Sequence, residues 1–228
     1  METQKKIFNE TEADAWLERN RNKLATFVPE KDPVVRHLRP HLCPGMSVAE
    51  VGCALASRVA AIVQITGGLG FGIDPSAQAM AEASLLHPRL TFQQATSDDL
   101  PWADQSVDVL IYGFCLYLCD RSDLFRIAAE GDRVLKIGGM LAVLDFQPPM
   151  PYRNPYSHKA GVFSHKMDNA QLWSWNPAYI EVSREIFDHD SLLTPGKSTF
   201  APDDRIGVSV LKKMPTCAYP LSPNYGRE

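Results

Sequence analysis

Residues 47–74 place an acid, a glycine and a second acid at spacings that suit a nucleotide-like cofactor. Glu50 lies two residues before Gly52 at the end of a short apolar run, and Asp74 ends the next apolar run, Leu69 to Ile73. The glycine lets the backbone approach a ligand, and the second acid accepts hydrogen bonds from a ribose diol. Glu50 would repel a diphosphate, so the pattern favours a cofactor without phosphate and with a cationic centre.

Asp74 also has a simpler interpretation. It precedes Pro75 and Ser76, and an aspartate before proline is common at the start of a helix, where its carboxylate caps free backbone N–H groups. The position of Asp74 directly after a predicted parallel strand favours the ribose-binding role over the cap.

Apolar runs alternate with helical patterns along the chain, which is typical of an α/β fold. Strands are predicted at 48–51, 69–73, 90–94, 107–112 and 140–146, followed by an antiparallel pair at 179–187 and 205–211. Helices are predicted at 10–28 with Thr11 as cap, at 34–42, 54–65 and 76–86, and at 122–136 with Asp120 as cap.

Four motifs follow one another within residues 45–146. They are Glu50–Ala56, Gly72–Ser76, Leu100–Trp102 with Ser106–Val109, and Leu135–Gly139. In order and spacing they resemble the class I S-adenosylmethionine (SAM)-dependent methyltransferases, close to the small-molecule branch related to the ubiquinone and menaquinone methylases. The resemblance implies a Rossmann-like, doubly wound, seven-stranded and mostly parallel sheet, with a terminal antiparallel strand and a lid insertion after the fifth strand.

The resemblance also implies that SAM is the cofactor. The residues expected to bind it are Trp16, Arg19, Glu50, Gly52, Cys53, Ala54, Asp74, Pro75, Ser76, Thr96, Ser97, Asp98, Gly113 and Phe114. By the same resemblance, residues 96–98 hold the adenine edge, and Gly113 and Phe114 border the methionine part. The helix that carries Trp16 and Arg19 either roofs the cofactor or only packs against the sheet.

Two features depart from the family pattern. Ala54 and Ala56 occupy the second and third positions of the usual Gly-x-Gly-x-Gly turn, and Thr96 stands where the family has an acid. Alanine at a positive φ costs about 1 to 2 kcal/mol, so either the turn is rearranged or only Gly52 has the unusual dihedral. Asp98 is a second acceptor beside Thr96.

Residues 147–178 follow the fifth strand and are predicted to form a lid or substrate wall, with a dimer contact as the alternative. Recurring prolines exclude a regular strand or helix at 147–156, and a short helix is predicted at 168–175. The aromatic residues expected to line the substrate site are Tyr152, Tyr156, Phe163 and Trp173.

A hydroxyl acceptor would need a general base. The candidates in this segment are His158 and His165, because imidazole titrates near pH 6.5. Tyr117 corresponds to a family position that often points at the substrate, and a core aromatic is its alternative role. The spacing of His158, His165 and Asp168 is not diagnostic of a metal site, and none is predicted.

Length and composition predict one domain of 228 residues. Its expected parts are an N-terminal helical cover (1–44), a cofactor-binding core (45–146), a lid (147–178), terminal strands (179–213) and a tail (214–228). A net charge of −4 gives no reason to expect nucleic acid, and the chain shows neither a signal peptide nor an apolar run long enough to span a membrane. Five scattered cysteines without a CxxC pair fit reduced thiols in a cytoplasm.

The expected function is therefore methyl transfer from SAM to an oxygen or nitrogen atom of a small metabolite, such as a sugar or a secondary-metabolite intermediate. A nicotinamide-dependent oxidoreductase is disfavoured because the glycine fingerprint is absent and Glu50 is present. Two alternatives stay open: a catalytically silent SAM-fold protein that binds SAM or a partner, and a SAM-fold enzyme with different chemistry.

Overall fold

The computed structural model describes residues 2–188 and 201–215. Its strands are β1 (Val48–Val51), β2 (Gly70–Asp74), β3 (Thr91–Gln94), β4 (Val107–Gly113), β5 (Leu135–Phe146), β6 (Tyr152–Pro155), β7 (Phe163–Lys166), β8 (Tyr179–Asp188) and β9 (Arg205–Lys213). Its helices are α1 (Gln4–Ile7), α2 (Ala13–Leu24), α3 (Pro33–Leu38), α4 (Ser57–Thr66), α5 (Ala77–Leu86), α6 (Leu124–Val134) and α7 (Gln171–Ser174).

The main sheet has seven strands in the order β3-β2-β1-β4-β5-β9-β8. Strands β1 to β5 pair in parallel, and β9 lies antiparallel between β5 and β8. The central strands β1 and β4 are largely buried because helices cover both faces of the sheet. The predicted doubly wound, mostly parallel sheet with a terminal antiparallel strand is confirmed.

The N-terminal helical stretch begins earlier than the sequence pattern predicts. Helix α1 starts at Gln4 with Thr3 as its cap, and a π-helical turn at Phe8–Glu12 joins it to α2. The prediction of a start at residue 10 with Thr11 as cap was wrong, because the Thr11 hydroxyl donates to the Ile7 carbonyl inside the helical stretch.

The turn after β1 uses three left-handed residues within five positions. Gly52 has φ +71°, Ala54 has φ +45° and Ala56 has φ +57°. Helix α4 therefore begins at Ser57, not at residue 54 as predicted, because a left-handed residue cannot continue a right-handed helix. The suggestion that only Gly52 needs the unusual dihedral was also wrong.

The segment before α6 differs from its prediction as well. Helix α6 starts at Leu124 and ends at Val134, so it is shorter than the predicted 122–136. The side chain of Asp120 does not cap it. It accepts instead from the backbone N–H groups of Gln4 and Lys5, at 3.0 and 2.9 Å, and so caps α1 from across the fold.

Residues 147–178 contain regular structure despite their prolines. Strands β6 and β7 form an antiparallel hairpin, contrary to the prediction that 147–156 excludes a strand. Pro155 is tolerated because it ends β6 at the edge of a two-stranded sheet. The predicted short helix shrinks to α7, four residues long.

No helix in residues 2–188 and 201–215 is long and apolar enough to cross a membrane. The same residues contain no group of three or more His, Cys, Asp or Glu side chains arranged to hold a metal ion.

The left-handed conformation of Ala56 leads to a stability prediction. Replacing Ala56 by glycine should raise the free energy of unfolding by about 1 kcal/mol, because glycine adopts a positive φ without a Cβ clash. Chemical denaturation measures this change. Ala60, inside α4, is the matched control, and Ala60→Gly should lower stability by about 1 kcal/mol. A loss of stability in both variants would mean that φ does not strain Ala56.

Candidate functional site

Strand register brings three key residues to one edge of the sheet. Val51 pairs with Ile73 on one side and with Tyr112 on the other. The residues that follow them, Gly52, Asp74 and Gly113, therefore meet at the carboxyl ends of β1, β2 and β4. In open α/β sheets the ligand crevice lies at this edge, where the strand order reverses.

The carboxylate of Asp74 joins the two turns at this edge. One oxygen accepts from the Ala54 backbone N–H at 3.0 Å, and the other accepts from the Ser76 N–H at 2.9 Å. Burial raises the pKa of the Asp74 carboxyl to about 6, with Asp14 adding a smaller like-charge effect. Each oxygen keeps a lone pair for a ligand, so capping and ligand binding are compatible roles.

Glu50 is buried in an ion cluster below the site. It is 2 % exposed and accepts from Nη1 of Arg58, whose Nη2 donates to Asp32 at 2.9 Å. Burial raises the pKa of the Glu50 carboxyl to about 7, although the positive charge of Arg58 opposes this. A Cβ on Gly113 would lie 2.5 Å from Arg58 Nη1 and 2.7 Å from Glu50 Oε1, so only glycine fits between this cluster and the site.

A cavity opens between this edge and the N-terminal helical stretch. The empty space within it, including space open to solvent, is about 850 Å³. The residues predicted to bind cofactor that line it are Trp16, Gly52, Asp74, Pro75, Thr96, Ser97, Asp98, Gly113 and Phe114. Those that do not line it are Arg19, Glu50, Cys53, Ala54 and Ser76.

Three of these five make hydrogen bonds that hold other residues of the site in position. Ala54 and Ser76 hold Asp74 through their backbone N–H groups, and Glu50 holds Arg58. Cys53 is buried, and burial raises the pKa of its thiol. Arg19 donates to Glu12 and to the Tyr156 hydroxyl.

The charges around the cavity are mostly negative. Carboxylates come from Asp74, Asp98, Asp120 and Asp123, whereas Lys5 supplies the one ammonium among the lining residues that the structure describes. Lys5 Nζ lies 2.8 Å from an Asp98 oxygen and 3.4 Å from an Asp123 oxygen. This excess of carboxylates suits a cationic ligand without phosphate.

The roof of the cavity is the N-terminal helical stretch. Lys5, Phe8, Ala13 and Trp16 line the cavity from above. Phe8 and Ala13 are five residues apart, which in an uninterrupted α-helix would separate them by well over a quarter turn. The π-helical turn adds the residue that brings both to one face, and such turns are frequent at functional sites.

The predicted catalytic residues lie outside the cavity lining. His158 is exposed and its ring packs edge-on against Tyr156 at 5.2 Å. His165, on β7, has a pKa lowered by burial, and its Nδ1 has no hydrogen-bond partner. Tyr117 packs edge-on against Phe146 at 5.1 Å, and burial raises the pKa of its hydroxyl.

The four predicted substrate residues also lie outside the lining. Trp173 is 2 % exposed and packs on Tyr112 at 5.0 Å in the core, so its prediction as a substrate wall was wrong. Tyr152 donates to Asp203 at 2.7 Å, and the Phe163 ring lies under Arg153. Tyr156 contacts the cavity lining indirectly, because its ring packs on Phe8, which lines the cavity.

Several lining residues were not predicted from the sequence. They include Lys5, Phe8, Ala13, Cys115, Cys119, Asp120 and Asp123. The first two were missed because the pattern of apolar residues placed the start of the helix at residue 10. Asp120 carried a visible signal, an acid shortly after a strand end, but was assigned to the wrong helix.

The core of the chain matches a protein-family model. Residues 49–143 match the model described as methyltransferase domain. These residues run from β1 into β5 and include the turn at Gly52, Asp74 and Gly113.

Individual relatives agree with this match over part of their length. A demethylmenaquinone methyltransferase of Chlorobaculum parvum is 30 % identical over 112 residues, which cover 49 % of this chain and 44 % of that protein. An uncharacterized methyltransferase of Synechocystis sp. is 28 % identical over 108 residues, covering 47 % and 50 %. The chain thus spans about half the length of these curated relatives.

A solved structure extends the fold likeness over most of the chain. The Burkholderia thailandensis 1,6-didemethyltoxoflavin-N1-methyltransferase, solved with 1,6-didemethyltoxoflavin and S-adenosylhomocysteine, aligns with a TM-score of 0.70. The alignment covers 90 % of this chain and 87 % of that one at 14 % identity, so it shows a common fold.

The burial of Asp74 predicts pH-dependent binding of S-adenosylhomocysteine. An ionised carboxylate accepts stronger hydrogen bonds than a neutral carboxyl, so affinity should rise as the pH increases through about 6. Between pH 5 and pH 7.5 the dissociation constant should fall about tenfold. At pH 5, one unit below this pKa, only about a tenth of the carboxyl is ionised, whereas at pH 7.5 nearly all of it is. Isothermal titration calorimetry measures it.

The matched variant is Asp74→Asn, which cannot ionise. Its affinity at pH 7.5 should be about tenfold weaker than that of the parent, and it should lose most of the dependence on pH. A parental affinity for Asp74→Asn would show that Asp74 only connects the two turns.

Proposed function

We propose that this chain, which contains a class I SAM-dependent methyltransferase domain, transfers a methyl group from SAM to an oxygen or nitrogen atom of a small-molecule metabolite. The observation that carries the proposal is the meeting of the Gly52 turn, Asp74 and Gly113 at one cavity.

The residues around the cavity fit SAM in shape and charge. Gly52 lines the cavity and packs closely against Cys115, because a Cβ at position 52 would lie 2.7 Å from Cys115 Cβ. Asp74 would accept the ribose hydroxyls, and Thr96 to Asp98 would border the adenine. Gly113 and Phe114 would border the methionine part.

When bound, SAM supplies a methyl group made electrophilic by the sulfonium. The chain's own contribution is positioning, because in-line displacement requires donor and acceptor atoms about 3 to 3.5 Å apart and aligned. Phe8, Trp16, Phe114 and Ile127 give the cavity an apolar wall that excludes water from the reacting atoms.

The charge of the cavity favours a neutral acceptor. An anionic acceptor would meet four carboxylates, and Lys5 is already paired with Asp98 and Asp123. The aromatic rings of Phe8, Trp16 and Phe114 offer contact area for a flat or apolar metabolite. We therefore favour an uncharged hydroxyl or amine compound over a phosphorylated or carboxylate one.

Methyl transfer can be tested directly with SAM labelled in its methyl group. We expect the label to move to a neutral hydroxyl or amine compound from a metabolite panel, with S-adenosylhomocysteine as co-product. Gly52→Ala should abolish both binding and transfer, because its Cβ would crowd Cys115. Gly138→Ala is the matched control, since Gly138 has a similar φ of +84° with open space around it.

The other outcomes separate the alternatives. Binding of S-adenosylhomocysteine without transfer to any compound would indicate a catalytically silent protein. Consumption of the acceptor without movement of the label would indicate other chemistry on the same fold. Full binding by Gly52→Ala, with a normal circular dichroism spectrum, would mean that the cofactor site lies elsewhere.

The positions of the histidines predict that neither serves as an essential base. No histidine in residues 2–188 and 201–215 lines the cavity, so His158→Ala and His165→Gln should each keep turnover within about threefold of the parent. Steady-state kinetics on the identified acceptor measures this. A loss of about 10² to 10⁴ in kcat with unchanged cofactor affinity would restore the histidine base predicted from the sequence.

A further inference from the structure

The carboxylate of Asp98 is held from two sides at one end of the cavity. It is 5 % exposed, and it accepts from the Thr96 hydroxyl at 2.8 Å and from Lys5 Nζ at 2.8 Å. Thr96 thus donates its proton to Asp98 and does not replace the family's acid as the acceptor in this loop. Asp98 is the carboxylate that faces the cavity here.

Lys5 reaches Asp98 from a different part of the chain and is itself fixed in place. The backbone N–H groups of Gln4 and Lys5 donate to Asp120, so the first turn of α1 is held at the cavity rim. The Gln4 amide donates to the Leu118 carbonyl at 2.7 Å and accepts from the Phe163 N–H at 2.7 Å. The hydrogen bond to Asp98 raises the pKa of Lys5, which keeps the ammonium charged.

An adjacent acceptor and donor at this place match the edge of a 6-aminopurine. Adenine presents an exocyclic amino group, which donates, next to a ring nitrogen, which accepts. A 6-oxopurine presents the opposite pattern, an acceptor next to an N–H donor. A carboxylate that faces position 6 and an ammonium that faces position 1 would pair fully with the first base and would leave groups unpaired with the second.

We infer that Lys5 is a specificity-determining residue: with Asp98 it selects the 6-amino base of the cofactor, so that the N-terminal helix takes part in reading the base. The inference rests on the proposed function, since it assumes that the cavity binds SAM. It also gives a reason why several hydrogen bonds hold so short a helix as α1 in place: the Lys5 ammonium must be positioned if it is to help select the base.

The experiment compares S-adenosylhomocysteine with S-inosylhomocysteine, which differs by a 6-oxo group on the base. Calorimetry on the parent should give an affinity at least tenfold higher for the adenosine compound. Lys5→Met should reduce this ratio by about fivefold or more, and Asp98→Asn should reduce or reverse it, since an amide can donate to a 6-oxo group.

Lys6→Met is the matched control. Lys6 lies one position along the same helix, is exposed, and pairs with Glu2 and Glu10 away from the cavity. It should keep the parental ratio of the two dissociation constants. Thermal unfolding of each variant shows whether the fold is retained.

Each outcome bears on one claim. A parental ratio in Lys5→Met would overturn the inference even if the variant bound both compounds more weakly, because a structural role weakens both alike. Equal affinities of the parent for both compounds would overturn it too, with the proposed function intact. Failure of the parent to bind either compound would instead contradict the proposed function.

Discussion

The ion pairs that the Arg58 guanidinium makes with Glu50 and Asp32 are the interactions on which the site most depends. The guanidinium lies between Glu50 at the end of β1 and Asp32 at the start of α3, and Asp32 also accepts from the Val35 N–H. Removing one partner of such a buried cluster leaves an unpaired charge, at a cost of about 3 to 5 kcal/mol. Because the guanidinium packs against Gly113, it also supports the cavity floor.

The strained turn above this cluster is stabilised from its other side by Asp74. Left-handed alanines at 54 and 56 cost energy, and the hydrogen bond from the Ala54 N–H to Asp74 helps to offset it. The same carboxylate is positioned for a ligand, so the geometry of the turn and the chemistry of the site share one group. A Gly-x-Gly-x-Gly sequence is therefore not required for this backbone, only residues small enough to adopt it.

The roof and the hairpin are connected to each other as well as to the core. Gln4 bonds to Phe163 in β7, Arg19 bonds to Tyr156, and Phe8 packs on Tyr156. The segment after β5 thus acts on the cavity through the N-terminal helical stretch and not by lining it.

The sequence by itself determined most strands and the edge that holds Gly52, Asp74 and Gly113, because period, turn residues and strand ends are local signals. The mostly parallel order of the sheet came from the family resemblance, which also identified nine of the lining residues. Only the tertiary structure decided that Lys5 meets Asp98, that Asp120 caps α1, and that Trp173 belongs to the core. These contacts join residues about 60 to 115 positions apart. Side-chain partners at such separations depend on packing, which local sequence patterns do not encode.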